Sequence, residues 1–503
     1  MTRISSQLSS KREVVLIGGI LGVFPLILTA RAFILPGFPF DGEIFSNLLP
    51  ALHARHSIAN GQLPIYTELF YSGRYQFANP LWYGFYPPAW LLFIPGIPLD
   101  GAIKFLLAVH LFITPGIAYY YSEQEVPWFV AAPFALLWVM PIAAQLNFAH
   151  LEKVFAWPWL VLVACQCLPE RFRSDSRRDG RIAGIGLGMI LLAGGNYYFA
   201  YGLALIVIIT VTCRAQKFGR GVIEGSIVGV PHLISIAPVL LGGASRPAVG
   251  YTAGVFDVVD LLSGLFVTPM AYVRFVGQGY AVIGLPVLLL TGYGIHYAHR
   301  HTNDWWVAGI SAAGIIGWAL ATGNQVLYSL PGVSILRVSS RATVLVAIAA
   351  LLLALYGATQ LTRPKINSEW RQILVVSLLV LSVLVASIAW VNQTQLGYTT
   401  SPDEANEIAG QLKASDCESV WLASNPSWNS SASLPVDSTE LGFALTKRDI
   451  AVRAVHYGAI GQQWTVYNET GQLSFDVLLT GGPLPANGSI NLSVADSSFR
   501  TVG

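Results

Sequence analysis

Charged side chains are scarce in this chain. Asp, Glu, Lys and Arg make up 11% of its 503 residues, whereas hydrophobic side chains make up 54%. Soluble globular proteins carry about 25% charged residues. This deficit excludes an ordinary soluble protein and predicts an α-helical polytopic membrane protein in contact with the lipid bilayer. The net charge of +2 is small, so composition gives no reason to expect a nucleic-acid partner.

Cysteine is also rare, and the four cysteines are too few for a disulfide framework. Cys165 and Cys167 stand two residues apart inside an apolar segment, which does not favour a metal site. His296, His299 and His301 fall away from the other polar motifs, and we interpret them as loop residues. The sequence therefore predicts no metal site from these side chains.

Long apolar segments are abundant instead. A membrane-spanning helix needs about 20 mainly apolar residues, and eleven segments approach that length. The first lacks a small-residue cleavage signature, so we expect a retained span and not a signal peptide. The segments at 182–195 and 197–213 are short, and one kinked region is the alternative to two helices. The predicted spans are 14–34, 100–121, 127–144, 150–169, 182–195, 197–213, 222–241, 279–297, 305–321, 342–360 and 372–391.

The composition changes near residue 393. Residues 1–392 are predicted to form a transmembrane domain, with 36–99 as its first external loop. Beyond it, Ser, Asn, Thr, Asp and Gly become frequent and no spanning segment remains. A helix over 401–415 and strands at SVWLAS, IAVRAVHY, QWTVYN and SFDVLLTG predict a small extracytoplasmic α+β domain over 393–503.

The first polar stretch follows the first span and opens with two carboxylates, Asp41 and Glu43. A turn rich in Pro and Gly precedes Asp41, which argues for a shaped connection and not a frayed helix end. A carboxylate there could act as a general base toward a hydroxyl acceptor. We predict Asp41 as the catalytic residue, with Glu43 second. An ordinary solvated helix end is the alternative.

A second motif, Asn147-Phe-Ala-His150-Leu-Glu152-Lys153, brings ionisable groups into an apolar segment. Such groups are costly in a membrane and usually face a cavity or one another. Asn147 and His150 share one face if the segment is helical, whereas Glu152 and Lys153 point in different directions. We predict that these four residues bind substrate, and interfacial snorkelling is the alternative.

A third motif places Arg337 and Arg341 just before an apolar span, four residues apart and hence on one helical face. Guanidinium groups bind phosphate oxygens bidentately, so we predict that this pair binds phosphate or pyrophosphate. Binding of lipid headgroups is the alternative.

Three weaker candidates are also predicted to contact substrate. Asn196 and Tyr197 follow a Gly-Gly turn that packing alone would also explain. Tyr86 belongs to an aromatic run that could stack on a sugar or pack on a lipid chain, although an interfacial aromatic belt is the default interpretation. The run contains Trp82, Tyr83, Phe85, Tyr86 and Trp90.

The order of these motifs resembles the multi-spanning GT-C glycosyltransferases, in particular their YfhO-like branch. The resemblance covers residues 15–360, and it depends on the order of loose motifs. An "LP-x(4)-R-x-P-x-R" element is matched loosely at Leu330-Pro331 and Arg337 to Arg341, with five residues in place of four before Arg337 and with Ser339 in place of its Pro. The other matches are Gly61-Gln62-Leu63-Pro64, Gly73, Asn79-Pro80, Tyr86-Pro87-Pro88, and His150 followed by Trp157-Pro158-Trp159.

The resemblance implies a GT-C-like fold and a glycosyltransferase. Such an enzyme moves a sugar from a polyprenyl-phosphate donor to an extracytoplasmic acceptor, which can be a cell-envelope glycan, a lipid or a protein. Asp41 would be the base, while His150, Arg337 and Arg341 would hold the donor phosphate. Some relatives use a divalent metal and others do not, so the cofactor stays open.

Two other functions stay open. A transporter or flippase often shows repeated halves and broken helices near the midplane. No repeat is evident here, and the polar residues cluster on one predicted face. A polymerase or ligase of lipid-linked saccharides would also use external Arg and His. One external cavity holding Asp41, His150 and Arg337 favours transfer, whereas a continuous polar path favours transport.

The short basic loops predict the orientation. With eleven spans, all five basic connectors fall on one side, which should be cytoplasmic. We therefore expect a multi-pass protein of the cell (plasma) membrane with a cytoplasmic N-terminus. A topology reporter fused after Gly503 should be active only outside the cytoplasm, and cytoplasmic activity of that reporter would contradict the assignment.

Overall fold

The computed structural model describes most of the first 394 residues and short pieces beyond them. The predicted site residues Asp41, Asn147, His150 and Arg337 lie outside the described ranges, as does the side chain of Glu43. The described ranges are 2–34, 43–64, 66–67, 74–75, 82–140, 151–169, 172, 175–241, 284–301, 304–328, 339–362, 369–394, 410, 413–414, 419–423, 451–455, 477–480 and 492–493.

The described part of the chain is mainly α-helical. Short 3₁₀ helices occur at Pro87–Phe93, Ile227–Gly229 and Ser339–Ala342. In chain order the α-helices are α1 (Thr2–Leu28), α2 (Ala30–Ile34), α3 (Glu43–Ala59), α4 (Leu99–Ser122), α5 (Trp128–Leu137), α6 (Leu151–Gln166), α7 (Arg177–Leu192), α8 (Asn196–Cys213), α9 (Gln216–Ser226), α10 (Val230–Leu241), α11 (Gly284–His301), α12 (Trp305–Ala321), α13 (Gln325–Tyr328), α14 (Thr343–Thr362) and α15 (Glu369–Thr394).

Each predicted span coincides at least in part with described helix, but the count of eleven spans is not confirmed. Hydropathy ignores helix breaks, and the segment predicted at 222–241 is interrupted by a 3₁₀ turn between α9 and α10. The region 182–213 forms two helices, α7 and α8, as the two-helix interpretation predicts. Four described helices are long and apolar enough to cross a membrane: Leu99–Ser122, Asn196–Cys213, Thr343–Thr362 and Glu369–Ile388.

Two helices form the centre of the bundle. In α6, every side chain except Trp159 and Leu162 is buried. Helix α14 is buried along nearly its whole length and packs on α11 and α12. Its high apolar content therefore reflects a place in the protein core as much as a place in lipid.

Glycines allow α7 and α9 to pack in parallel at very short range. A Cβ at Gly184 would overlap the Val222 carbonyl oxygen, and one at Gly225 would overlap the Arg181 carbonyl oxygen. Gly180 and Gly221 make equivalent backbone contacts one turn earlier. Small residues four apart are the usual means by which membrane helices approach this closely.

The parallel pair brings basic residues to one end of the bundle. Glu224 of α9 accepts hydrogen bonds from Arg177 and Arg181 of α7, including a 2.6 Å bond from Arg181 Nε. At the same end, the Trp306 indole at the start of α12 donates to the Cys167 carbonyl at 2.7 Å. The loops before α7, α9 and α12 thus lie together, as the orientation argument requires.

One other sequence interpretation changes. His296, His299 and His301 are not in a loop, because α11 continues to His301. Two short strands, β1 (Tyr66–Thr67) and β2 (Arg74–Tyr75), form an antiparallel pair. The C-terminal strands β3 (Ser419–Ala423), β4 (Ala451–Val455), β5 (Val477–Thr480) and β6 (Leu492–Ser493) form a mixed sheet in the order β4-β3-β5-β6.

In this sheet β3 pairs in parallel with both β4 and β5, and only β6 is antiparallel. Parallel pairs require crossover connections and are more typical of α/β than of α+β architecture. The predicted QWTVYN strand lies outside the described residues, so the α+β domain stays a prediction.

The helix contact generates a stability prediction. Gly184→Ala should lower the thermal unfolding temperature, because its methyl group has no space against α9 and overpacking costs about 1–3 kcal/mol. Gly292→Ala in α11 is the matched control, since a Cβ there would have no neighbour within 4 Å. Equal unfolding temperatures for the two variants, measured in the same detergent, would contradict the close packing of α7 and α9.

Candidate functional site

The described site residues lie where three helices begin. Glu152 and Lys153 belong to the first turn of α6, Asn196 and Tyr197 open α8, and Arg341 stands in the 3₁₀ turn that leads into α14. Because the free N–H groups and the dipole of a helix N-terminus favour negative charge, these three helix starts make one region electropositive.

Glu152 and Lys153 enter the protein interior together. Their exposures are only 4% and 5%, and both interact with neighbouring groups. An isolated charge in such a place would cost several kcal/mol, about the penalty for a poorly compensated buried ion. A carboxylate in the first turn of a helix is stabilised by the helix dipole, so the position of Glu152 offsets part of this cost.

A tight turn brings α8 against α6. The Gly195 amide donates to the Ile190 carbonyl at 2.9 Å and the Gly194 amide donates to Leu191, which is the hydrogen-bond pattern of a Schellman C-cap. Gly194 has φ of 76°, a conformation that favours glycine. A side chain at Gly195 would meet the Ala156 methyl group at 2.5 Å. The Gly-Gly pair therefore sets both the bend and the close approach.

Arg341 and Tyr198 connect the three helix starts. The Arg341 guanidinium carbon lies 4.5 Å from the centre of the Tyr197 ring, within cation–π range. The Tyr198 hydroxyl lies within electrostatic range of both Arg341 and Glu152. The structure thus brings together Glu152, Tyr197 and Arg341, which come from three motifs that are far apart in sequence.

Arg341 lies in the 3₁₀ helix Ser339–Ala342. Arg337 lies outside the described residues, so a shared helical face and a joint role for the two arginines stay a prediction.

The residues 82–93, here called the aromatic segment, pack against α6 next to Glu152. Tyr83 is buried and meets the Phe155 ring edge-on, with 5.8 Å between ring centroids. Burial, and next the nearby Glu152 carboxylate, raise the pKa of Tyr83. Its hydroxyl therefore stays protonated at neutral pH and remains a hydrogen-bond donor beside the site.

Tyr86 does not have the position expected of a substrate-binding residue. It is 1% exposed, and its hydroxyl bonds to His110 Nε2 at 2.7 Å and to the Trp159 indole at 2.9 Å. These two bonds use its donor and one of its acceptor positions inside the bundle. We therefore leave Tyr86 out of the site proposed below.

Sequence reasoning missed Tyr198, although a signal for it existed. The buried residues of α8 follow a helical stripe that begins at Tyr198 and continues through Tyr201, Leu205 and Ile209. This period places Tyr198 on the inward face. Sequence reasoning also missed His110 and Arg55, because a lone His or Arg between apolar residues gives no pattern.

Among the described residues, no group of three His, Cys, Asp or Glu side chains is arranged to hold a metal ion.

Comparison with known proteins gives structural neighbours only. No family model matches the sequence, and no curated protein matches it. The chain is similar to the mycobacterial arabinofuranosyltransferase AftD, with 14% identity, a TM-score of 0.49, and coverage of 82% of this chain and 29% of that protein. The matched part of this chain thus spans less than a third of that neighbour's length.

Two further neighbours are the Archaeoglobus fulgidus oligosaccharyltransferase and ArnT from Cupriavidus metallidurans bound to undecaprenyl phosphate. The first has 12% identity, a TM-score of 0.46, and coverage of 88% of this chain and 64% of that one. The second has 14% identity, a TM-score of 0.46, and coverage of 87% and 85%. At these values no residue role and no activity are transferred to this chain.

Arg341 gives the sharpest test of the site. Arg341→Ala should raise the KM or Kd for a polyprenyl-phosphate donor about 10- to 100-fold, because charge-assisted hydrogen bonds contribute roughly 1.5–3 kcal/mol. Arg341→Lys should recover only part of the loss, since ammonium lacks the planar fork and stacks poorly on Tyr197. Arg220→Ala, at the exposed opposite end, is the control. Unchanged donor affinity in Arg341→Ala would remove this residue from the site.

Proposed function

We propose that this chain is an integral membrane glycosyltransferase that moves a sugar from a polyprenyl-phosphate donor to an extracytoplasmic acceptor. One observation carries the proposal. Glu152 and Lys153 are buried in the first turn of α6, and the Tyr198 hydroxyl of α8 lies within electrostatic range of Glu152 and of Arg341, which precedes α14. Cationic side chains at the start of apolar helices suit a ligand with an anionic headgroup and a hydrocarbon chain.

The headgroup would bind among the helix N-termini. Arg341 presents its guanidinium group above Tyr197, and the N-termini of α8 and α14 lie next to it. A phosphate bound there gains from the guanidinium group, from the dipoles and from low exposure to water. His150 and Arg337, which come from the same sequence motifs, are proposed as its other ligands.

The lipid chain would lie along α8. The outward face of this helix is apolar from the site to the opposite end, with exposures of 38% at Leu203, 49% at Val207 and 71% at Val211. A polyprenyl chain on that face replaces ordinary lipid at little cost. The donor could then reach the site from within the bilayer, with only its phosphate and sugar in the polar pocket.

The acceptor needs a base, and Asp41 is proposed for that role with Glu43 second. Glu152 is the described carboxylate at the site, but its burial beside Tyr83 and Tyr198 suits a positioning and charge-balancing role better. A base must release and take up protons repeatedly, which favours a carboxylate with access to solvent.

Transfer can be tested directly with purified protein in lipid nanodiscs. A polyprenyl-phosphate donor with a radiolabelled sugar is added together with cell-envelope fractions as the acceptor. We expect label to leave the polyprenyl phosphate for another molecule and free polyprenyl phosphate to appear. In sealed vesicles, label that crosses the membrane while still attached to lipid would support a flippase and overturn the proposal.

The catalytic base generates a separate prediction. Asp41→Asn should lower kcat about 10²- to 10⁴-fold, the usual contribution of a general base, while the donor Kd stays near that of the wild type. Glu43→Gln is the matched control and should lose less. Full activity in Asp41→Asn with loss in Glu43→Gln would mean that the other carboxylate is the base. Activity in both variants would shift the role to Glu152.

A further inference from the structure

The aromatic segment enters an apolar bundle without forming a regular α-helix, so its polar groups need partners there. A chain of hydrogen bonds supplies them at one end. The Trp159 indole N–H donates to the Tyr86 hydroxyl at 2.9 Å, and that hydroxyl lies 2.7 Å from His110 Nε2. His110 Nδ1 lies 2.6 Å from the Leu106 carbonyl oxygen.

This chain of hydrogen bonds fixes the position of each proton within it. A carbonyl oxygen only accepts, so His110 Nδ1 must carry the hydrogen. In neutral imidazole the other nitrogen then accepts, and the Tyr86 hydroxyl donates to it. The Tyr86 oxygen accepts from Trp159. A proton added at His110 Nε2 would make the Tyr86 oxygen the acceptor of both bonds and leave the Tyr86 hydrogen without an acceptor in this network. The hydrogen-bond chain is therefore complete only when His110 is neutral.

The other end of the segment has a second anchor. The Arg55 guanidinium of α3 donates from Nε to the Leu92 carbonyl and from Nη1 to the Ile97 carbonyl, both at 2.6 Å. The last carbonyls of a short helix have no partner within the helix, and Arg55 supplies one. The segment is therefore held at both ends by side chains from other helices.

The first anchor, at Tyr86, is connected through Tyr83 to the candidate site. The Tyr86 amide donates to the Tyr83 carbonyl at 3.0 Å, so the two tyrosines form one rigid turn. The His110 ring packs on Phe155 with centroids 4.9 Å apart, and Tyr83 meets the same ring edge-on. Phe155 lies three residues after Glu152, hence on the same face of α6.

We propose that His110 is a positioning residue. Through Tyr86 it holds the aromatic segment against α6 and so fixes Tyr83 beside Glu152. It contacts neither phosphate nor sugar in this scheme, since it is 2% exposed and lies among Tyr86, Phe155 and Leu106. Its effect on catalysis rests on the glycosyl transfer proposed above, but its effect on the segment does not.

Amide replacements can separate the two nitrogens of His110. Glutamine can place an amide oxygen near Nε2 and accept from Tyr86. Asparagine can place an amide nitrogen near Nδ1 and keep only the Leu106 contact. The test set is therefore His110→Gln, His110→Asn and Tyr86→Phe. Tyr119→Phe is the control. Tyr119 is a buried tyrosine of α4, the helix that carries His110, and it takes no part in this network.

Hydrogen–deuterium exchange of peptides that cover 82–97 gives a readout that needs no substrate. Exchange should become about tenfold faster or more in Tyr86→Phe and His110→Asn, because buried partners lose their hydrogen bonds. His110→Gln and Tyr119→Phe should exchange like the wild type. If the glutamine and asparagine variants exchange alike, or Tyr86→Phe is unchanged, the positioning role is refuted.

The kinetic readout addresses the site. In Tyr86→Phe and His110→Asn, kcat should fall about tenfold at nearly constant donor KM, since small displacements in an active site are costly to the chemical step. Full kcat together with faster exchange would make the network purely structural and would overturn its link to transfer. If the wild-type protein shows no transfer at all, the proposed function fails, while the exchange experiment still decides whether His110 holds the segment.

Discussion

A polar group inside an apolar bundle must find a partner there, and this constraint determines where the few polar residues of the chain lie. An uncompensated charge or backbone group costs several kcal/mol away from water. In this fold several such groups lie together at helix ends. Glu152 and Lys153 occupy the first turn of α6, and Arg341 lies just before α14. Arg177, Arg181 and Glu224 neutralise one another at the opposite end.

Close helix packing makes this collection possible. The Gly-Gly turn before α8 brings Tyr198 within reach of Glu152, and the glycines of α7 and α9 keep the neighbouring helices in contact. Helix α6 links the site to the aromatic segment, because one of its faces presents Glu152, Phe155 and Trp159 in succession. The site and the anchor of the aromatic segment are thus two ends of one helix face.

Much of the helical framework could be predicted from the sequence, because apolar length and loop composition report it directly. The hairpin at 182–213 is an example, since its Gly-Gly-Asn turn is a local signal. Contacts between distant motifs were less accessible. The spacing of Arg337 and Arg341 suggested one helical face, but spacing alone does not reveal that Arg341 lies in the 3₁₀ helix Ser339–Ala342. Tyr86 was predicted to contact substrate, with an aromatic belt as the default interpretation, and neither interpretation indicated that its hydroxyl bonds to His110 and Trp159. No single-sequence pattern links residues 86, 110 and 159.

The central claim is that the three helix starts form an anion site for a lipid headgroup. Photocrosslinking in nanodiscs tests it most directly, with a polyprenyl phosphate that carries a photoreactive group next to its phosphate and with mass spectrometry to locate the labelled residues. The account predicts labelling concentrated at 196–198 and 339–343. Labelling concentrated instead around Arg177 and Lys217 at the opposite end, or spread evenly along the helices, would contradict it.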